Sequence, residues 1–411
     1  MSRERNLVAG AAAFVMIVAG AACSSTKDLV VPPPPVNPLF ASYVSLGNSI
    51  TAGFQSGGIN DSTQHQAYPV LLAQQMNTPF TVASLLAPGC PPPIDSFPKG
   101  TRVGGGTATT CFFRSQVSGV AVLNNVAVPG AASFDPASPI GTGGGGPLTT
   151  FILGGKSQVQ RALDAKPTFV SIWIGNNDVL PAALSGVLDS VPGLSPGVTA
   201  EAAFEQNYNA MMTGLNAGGT IKGGILIGVV NVANAPLFFP AAALFAPDVL
   251  PALEQAVGAS ITVDTSCTPA TQSIINFELL EAMQAGTAPD TIACHALANH
   301  ANGLGEVFVL DATEIAAVTQ AVAGYNAFIQ QTAANNGWAF FDPNTALAQL
   351  RQSGQIPVLP DLAQPTKPFG DFISLDGIHP SAAAHVLLAN LMIQAINAQY
   401  STSIPTLASP Q

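Results

Sequence analysis

The sequence predicts an α/β fold, with helices packed on a mostly parallel sheet, and three observations carry that reading. Short apolar runs alternate with longer helix-like segments through most of the chain. One of the runs, Phe169-Val170-Ser171-Ile172-Trp173-Ile174, is apolar on both of its alternating faces apart from one serine, as a strand buried between two layers must be. Finally, 48% of the 411 residues are hydrophobic, enough for a sizeable core and too many for a disordered chain.

Taken in order, strands are expected at 43–46, 120–128, 169–174, 224–232 and 338–341. Each is rich in β-branched or aromatic residues, as Ile225, Leu226, Ile227, Val229 and Val230 illustrate in the fourth. Helices are expected at 68–76, 200–215, 311–336 and 382–399. The third of these opens on Asp311-Ala312-Thr313-Glu314, whose spacing suits a capping box. Two stretches break the rhythm. Glycine-rich 104–106 and 141–146 read as one loop-dominated region. Residues 237–305, apolar and rich in Ala and Pro, are too long for a simple connection and read as an insertion over one end of the sheet. The domain therefore runs over 39–400, followed by a tail at 401–411, and no internal repeat is evident.

Charge narrows the partners. Twelve Lys and Arg stand against 23 Asp and Glu, for a net charge of -11, and a surface of that sign repels a phosphate backbone. No nucleic-acid partner is expected. Gly154-Gly155-Lys156-Ser157 imitates the end of a phosphate-binding loop, but the glycine required five residues before Gly155 is Thr150.

Arg3 and Arg5 precede an apolar stretch over 7–22 that ends in Gly20-Ala21-Ala22-Cys23. A basic start, a short apolar run and small residues describe a secretory leader. A cysteine directly after them resembles a bacterial lipoprotein signal, although Gly20 stands where leucine is usual. The resemblance implies that 1–22 is removed and Cys23 carries lipid, anchoring the chain to the cell envelope. Ser24, next in line, fits outer-membrane sorting. Residues 23–38, with Pro32 to Pro35, then read as a stiff tether. Four cysteines remain, an even number in an exported chain, so disulfides are expected. Three connectivities are open. Pairing neighbours gives Cys90–Cys111 and Cys267–Cys294, each worth about 3 kcal/mol of loop closure. A zinc site at Cys267, Cys294, His295 and His300 is the rival, disfavoured by irregular spacing and an oxidising compartment.

Four short blocks carry the chemistry. Gly47-Asn48-Ser49-Ile50-Thr51-Ala52-Gly53 follows the first strand, where ligands of open parallel sheets bind, so Ser49 is placed to react. Val128-Pro129-Gly130-Ala131 ends the second strand, where a glycine N–H can approach a ligand oxygen. Gly175-Asn176-Asn177-Asp178 ends the buried third strand with two amides, able to donate to an oxyanion or to brace a loop. In Asp376-Gly377-Ile378-His379-Pro380, a carboxylate three residues before a histidine can hold one ring nitrogen while the other acts as a base. Each block alone has an ordinary explanation as a turn or a helix cap; their order and strand-end positions together are specific.

The four blocks resemble those of the SGNH, or GDSL-type, hydrolase superfamily, over roughly 43–397. The resemblance implies a three-layer α/β/α sandwich around a parallel sheet of about five strands, of flavodoxin-like order. It implies ester hydrolysis with Ser49 as nucleophile, His379 as base, Asp376 as its orienting carboxylate, and an oxyanion hole from the Ser49 and Gly130 N–H groups and the Asn177 amide. That chemistry needs no metal or organic cofactor. The chain departs from the pattern at Asn48, where aspartate is usual. For the substrate, lipid or acyl esters and acetyl esters both stand open. Phe238, Phe239, Leu244, Phe245, Val249 and Leu250 of the insertion read either as a lid over acyl chains or as extra core or a dimer contact. The alternative to an enzyme is a catalytically silent, lipid-anchored binding module on the same fold.

Overall fold

A computed structural model describes residues 37–408 apart from 98–100, 108, 110, 112–121, 139–146, 192–194, 289 and 295–307. The expected leader, Cys23, the tether as far as 36, the glycine run 141–146, His295 and His300 lie outside the described residues.

The apolar runs of the sequence become β1 (Tyr43–Gly47), β2 (Phe169–Trp173), β3 (Gly223–Ile227) and β4 (Ala339–Phe341), hydrogen-bonded in that order and parallel throughout. Around them run α1 (Ser49–Ala52), α2 (Tyr68–Gln75), α3 (Gln158–Asp164), α4 (Glu201–Asn216), α5 (Ala312–Asn336), α6 (Pro343–Gln352) and α7 (Ala382–Tyr400). Register sets Tyr43 beside Phe169 and Val44 beside Val170. Because successive side chains point to opposite faces, the sheet is buried twice. Tyr43, Phe169, Ile225 and Ala339 share one core with Leu72 of α2 and Leu388 and Met392 of α7. Val44, Val170 and Leu226 share the other with Val159 of α3, Phe204 and Tyr208 of α4, and Val322 and Tyr325 of α5. The architecture is an α/β/α sandwich.

Four strands are regular where about five were expected, and the reason lies at 120–128. Among its described residues this segment runs parallel to β1 but joins it in a single bridge, Ser45 to Asn125. Ser45 N donates to Asn124 O (2.8 Å), and Val126 N and Val128 N donate to Ser45 O and Gly47 O. The Asn124 and Asn125 amides turn back to the Tyr43 and Thr51 carbonyls, and Pro129 has no N–H to prolong the pairing. With this segment counted second, the spatial order is 2-1-3-4-5, and the switch point between β1 and β2 is where such sheets bind ligands. The strand expected to reach 232 stops at Ile227, because side chains take over its backbone donors: Val229 N donates to Asn326 Oδ1, Val230 N to Asn176 Oδ1 and Asn231 N to Asn344 Oδ1.

The insertion builds a second core, which it shares with Phe97 and Phe369. Phe238–Pro240, Ile274–Asn276 and Val309–Leu310 form an antiparallel sheet, packed with the helices Val249–Val257 and Glu278–Gln284. Phe239 and Leu244 are buried in this core, Val249 and Leu250 pack against it, and Phe238 joins the core of the main sheet. Phe245, 44% exposed, is the exception among the six residues considered for a lid. The other five are extra core. Two disulfides, Cys90–Cys111 and Cys267–Cys294, join the neighbouring cysteines, which commits both thiols of the rival zinc site. The segment 401–408, read as a tail, is docked on α7: Asn397 exchanges hydrogen bonds with the Ile404 backbone and Asn390 with that of Leu407. Among the described residues, no helix is long and apolar enough to cross a membrane.

Candidate active site

Gly47 ends β1 and starts the turn that presents Ser49. A Cβ there would lie 2.5 Å from the Trp173 carbonyl oxygen of the neighbouring strand, so the close approach requires glycine. Buried Gln158, at the start of α3, clamps this residue: Gly47 N donates to its Oε1 and its Nε2 donates to Gly47 O, both at 3.0 Å. Asn48 then caps α1, its Oδ1 accepting from Ile50 N at 3.2 Å. An aspartate oxygen would serve the same purpose, so the departure at this position preserves the turn. Its cost is an amide Nδ2 buried without a partner. Ser49 is left half-buried at the first position of α1.

The Asp-Gly-Ile-His block reaches the same place from the other end of the chain. His379 Nε2 lies 2.8 Å from Ser49 Oγ, and its Nδ1 lies 2.8 Å from Asp376 Oδ2. Burial would raise the Asp376 pKa, but the charge of His379, hydrogen bonds from its ring and backbone, and the Gly57 N–H outweigh it and hold the carboxyl well below the usual carboxylate range. An ionised carboxylate only accepts, so Nδ1 carries the ring proton and donates it, and Nε2 is the acceptor for the Ser49 hydroxyl. The Phe54 ring packs against the imidazole with centroids 5.0 Å apart. His385, in the first turn of α7, is a different kind of histidine. Burial first, then the charge of His379, push its pKa down to about 3, and its Nδ1 accepts from Tyr68 N.

The other two blocks meet beside Ser49. Asn177 Nδ2 donates to Ala131 O at 2.9 Å, tying the end of β2 to the Gly130 turn. That leaves the amide a second hydrogen. Neither the Ser49 N–H nor the Gly130 N–H has a partner among the described residues. Behind the turn, Asp178 accepts from both Ser133 N (2.8 Å) and Ser133 Oγ (2.6 Å). Burial raises its pKa against the pull of those bonds. Ser49, Gly130, Asn177, Asp376 and His379 are therefore at one rim of the sheet. Among the described residues, no group of three or more His, Cys, Asp or Glu is placed to hold a metal ion.

Sequence reasoning misses the residues that hold Asp376. Its Oδ2 also accepts from Gly57 N (2.7 Å), and its Oδ1 accepts from Ile378 N, His379 N and Ser374 Oγ. Ser56 completes the frame, donating its N–H to Ser374 Oγ while its own Oγ accepts from Leu375 N. Gly377 has φ +69°, and a Cβ on it would lie 3.0 Å from Leu237 Cα, at the start of the insertion. Leu237 N donates to Gly377 O at 2.9 Å.

A parallel sandwich with a serine, histidine and aspartate gathered at its switch point defines a class of hydrolases. The sequence profile of the GDSL-like lipase/acylhydrolase family matches residues 43–392, and the chain belongs to this family of ester-hydrolysing enzymes. Several solved structures are similar to it. An acetylxylan esterase from Geobacillus stearothermophilus is 14% identical, with 86% of this chain and 93% of that one covered and a TM-score of 0.36. An extracellular lipase from Streptomyces rimosus is 16% identical, with 86% and 98% covered and a TM-score of 0.34. A putative acylhydrolase from Bacteroides fragilis is 13% identical, with 90% and 93% covered and a TM-score of 0.34. No curated protein matches the sequence.

Proposed function

We propose that this chain cleaves carboxylic esters, of lipids or of other acylated or acetylated molecules, with Ser49, His379 and Asp376 as its triad. The observation that carries the reading is the continuous hydrogen-bonded line from the Asp376 carboxylate through the imidazole to the Ser49 hydroxyl. A serine hydroxyl is a poor nucleophile at its free pKa. His379 Nε2 takes its proton as Oγ attacks the ester carbonyl, and the resulting imidazolium is stabilised by Asp376. The oxyanion that develops is met by the Ser49 and Gly130 N–H groups and the free hydrogen of the Asn177 amide. His379 then returns the proton to the leaving alcohol, and water repeats the cycle on the acyl-enzyme. A silent binding module would rest on the departure at Asn48, and the role of this residue as a helix cap weighs against that alternative.

Ser49→Ala should lower kcat on p-nitrophenyl acetate by more than about 10³-fold and abolish labelling by a fluorophosphonate probe. A variant that keeps more than about a tenth of its turnover would mean that another group attacks the ester.

The same reading places the enzyme in the cell envelope, exported by a leader over 1–22 and held by lipid on Cys23, with outer-membrane sorting signalled by Ser24. It is supported by the leader pattern and by the two disulfides, which need an oxidising compartment. Cys23→Ser should move the chain from the membrane to the soluble fraction; an unchanged membrane fraction would remove the anchor from the proposal.

A further inference from the structure

Tyr68, the first residue of α2, is fully buried in the core shared by α2, α7 and the sheet, and its two polar groups reach different helices. Its hydroxyl lies 3.0 Å from Thr51 Oγ1, in the single turn of α1. Its backbone N–H donates to His385 Nδ1, in α7, at 3.2 Å. A helix start needs acceptors for its first N–H groups, and α2 begins on Ala67, which has no side chain to cap it. His385 supplies the acceptor from 317 residues away. Since Nδ1 accepts, the ring proton is on Nε2, and that N–H is buried without a partner among the described residues. A leucine at 385 would fill the same core without stranding a donor, so packing alone does not account for the histidine.

Each partner of Tyr68 stands beside one half of the proposed triad. Thr51 is two residues past Ser49 in a helix only four residues long, so what fixes Thr51 fixes the nucleophile. His385 is in the first turn of α7, and His379 leads into that turn through Pro380 and the cap Ser381. Burial pushes the Tyr68 phenol up, so it stays protonated in this core. We infer that Tyr68, anchored by His385, is a positioning residue that closes a bracket from the nucleophile helix to the helix following the base and sets the Ser49–His379 approach. The inference rests on the triad proposed above. The proton transfer it serves is sensitive to distance. Ser49 Oγ and His379 Nε2 lie 2.8 Å apart, inside the ~2.6–3.2 Å that general-base catalysis needs. A misplacement of about 1 Å costs about 10²-fold in rate.

Tyr68→Phe keeps the ring and the N–H and removes the bond to Thr51. It should lower kcat on p-nitrophenyl acetate by about tenfold with KM within about twofold, and slow fluorophosphonate labelling of Ser49 by the same factor. Thr51→Val breaks the same bond from the other side, so the double variant should be no slower than the slower single one. Tyr43→Phe is the control. It removes an equally buried hydroxyl from the same core, one bonded to Ser171 Oγ at 2.7 Å and not to α1. Its kcat should stay within about twofold of wild type. His385→Leu should slow the enzyme about tenfold, and His385→Asn, whose side-chain oxygen stands where Nδ1 stood, should recover most of the loss. Equal losses in the two remove His385 from the bracket. Circular dichroism and the thermal midpoint confirm that each variant is folded; should Tyr68→Phe not fold, Thr51→Val decides. Folded variants that lose thermal stability but keep wild-type kcat and labelling overturn the bracket, as does a loss in Tyr43→Phe equal to that in Tyr68→Phe. Ser49→Ala separates the two claims. If it is inactive while Tyr68→Phe keeps the wild-type rate, the triad stands and the bracket falls; if it remains active, the triad itself falls.

Discussion

Ser49 and His379 meet at 2.8 Å, yet two different kinds of structure hold them. Ser49 continues a central strand: β1 lies between β2 and the 124–128 segment, Gln158 clamps Gly47, and Asn48 caps the helix that follows. His379 continues no strand of the main sheet. Its loop is held by the 56–57 turn through Asp376 and Ser374, and by the first residue of the insertion through Gly377. The nucleophile is thus built on the most buried part of the fold, whereas the base depends on contacts between peripheral segments. Damage outside the sandwich should reach the base first.

The largest effect is expected at the hub of the peripheral frame. Asp376→Asn keeps one acceptor oxygen but turns an N–H toward donors that the carboxylate accepts from, at Gly57 N and His379 Nδ1, or else toward those on the Oδ1 side. On the proposed mechanism, kcat should fall by about 10⁴-fold, as when the orienting carboxylate of such a triad becomes an amide. Stability should respond with a defined sign. The folded pKa of Asp376 lies below its unfolded value, so its contribution is complete above about pH 4 and is lost as pH falls through the folded value. The variant should therefore be less stable than wild type at neutral pH, with the difference shrinking in acid. Urea midpoints at pH 7 and pH 3 test this: an equal loss at both would mean that the carboxylate's charge contributes nothing to the fold.

The same contrast explains what the sequence made legible. Strand β1, buried strand β2 and the capped helix α5 follow local patterns: apolar runs, a closing glycine, an aspartate three residues before a glutamate. The four blocks were readable because each combines such an element end with a reactive side chain. What holds those side chains was not. Gln158 reaches Gly47 across 111 residues, and Gly57 reaches Asp376 across 319, through an ordinary amide and a bare N–H that have no signature in sequence. The short helix α1 has no apolar period to detect, being one turn long. By contrast, Asp342-Pro343 was an available start signal for α6.

A smaller and more selective effect should follow from opening the insertion. Cys267–Cys294 closes a loop of 27 residues, and its removal by Cys267→Ser with Cys294→Ser should cost about 2–4 kcal/mol of local stability. The insertion meets the base loop through Leu237 and Gly377, and Leu237 O in turn accepts from Phe277 N within the insertion's core. Among the described residues the nucleophile turn has no such hydrogen bond to the insertion, and Gly47 and Asn48 are held by Gln158 and by the cap. The double variant should therefore lose kcat several-fold, and hydrogen exchange should rise at 374–379 while the amides of 47–53 stay protected. Equal exchange gains at both would mean that the two halves of the site share one support, and an unchanged base loop would mean that the insertion is a passenger on the fold.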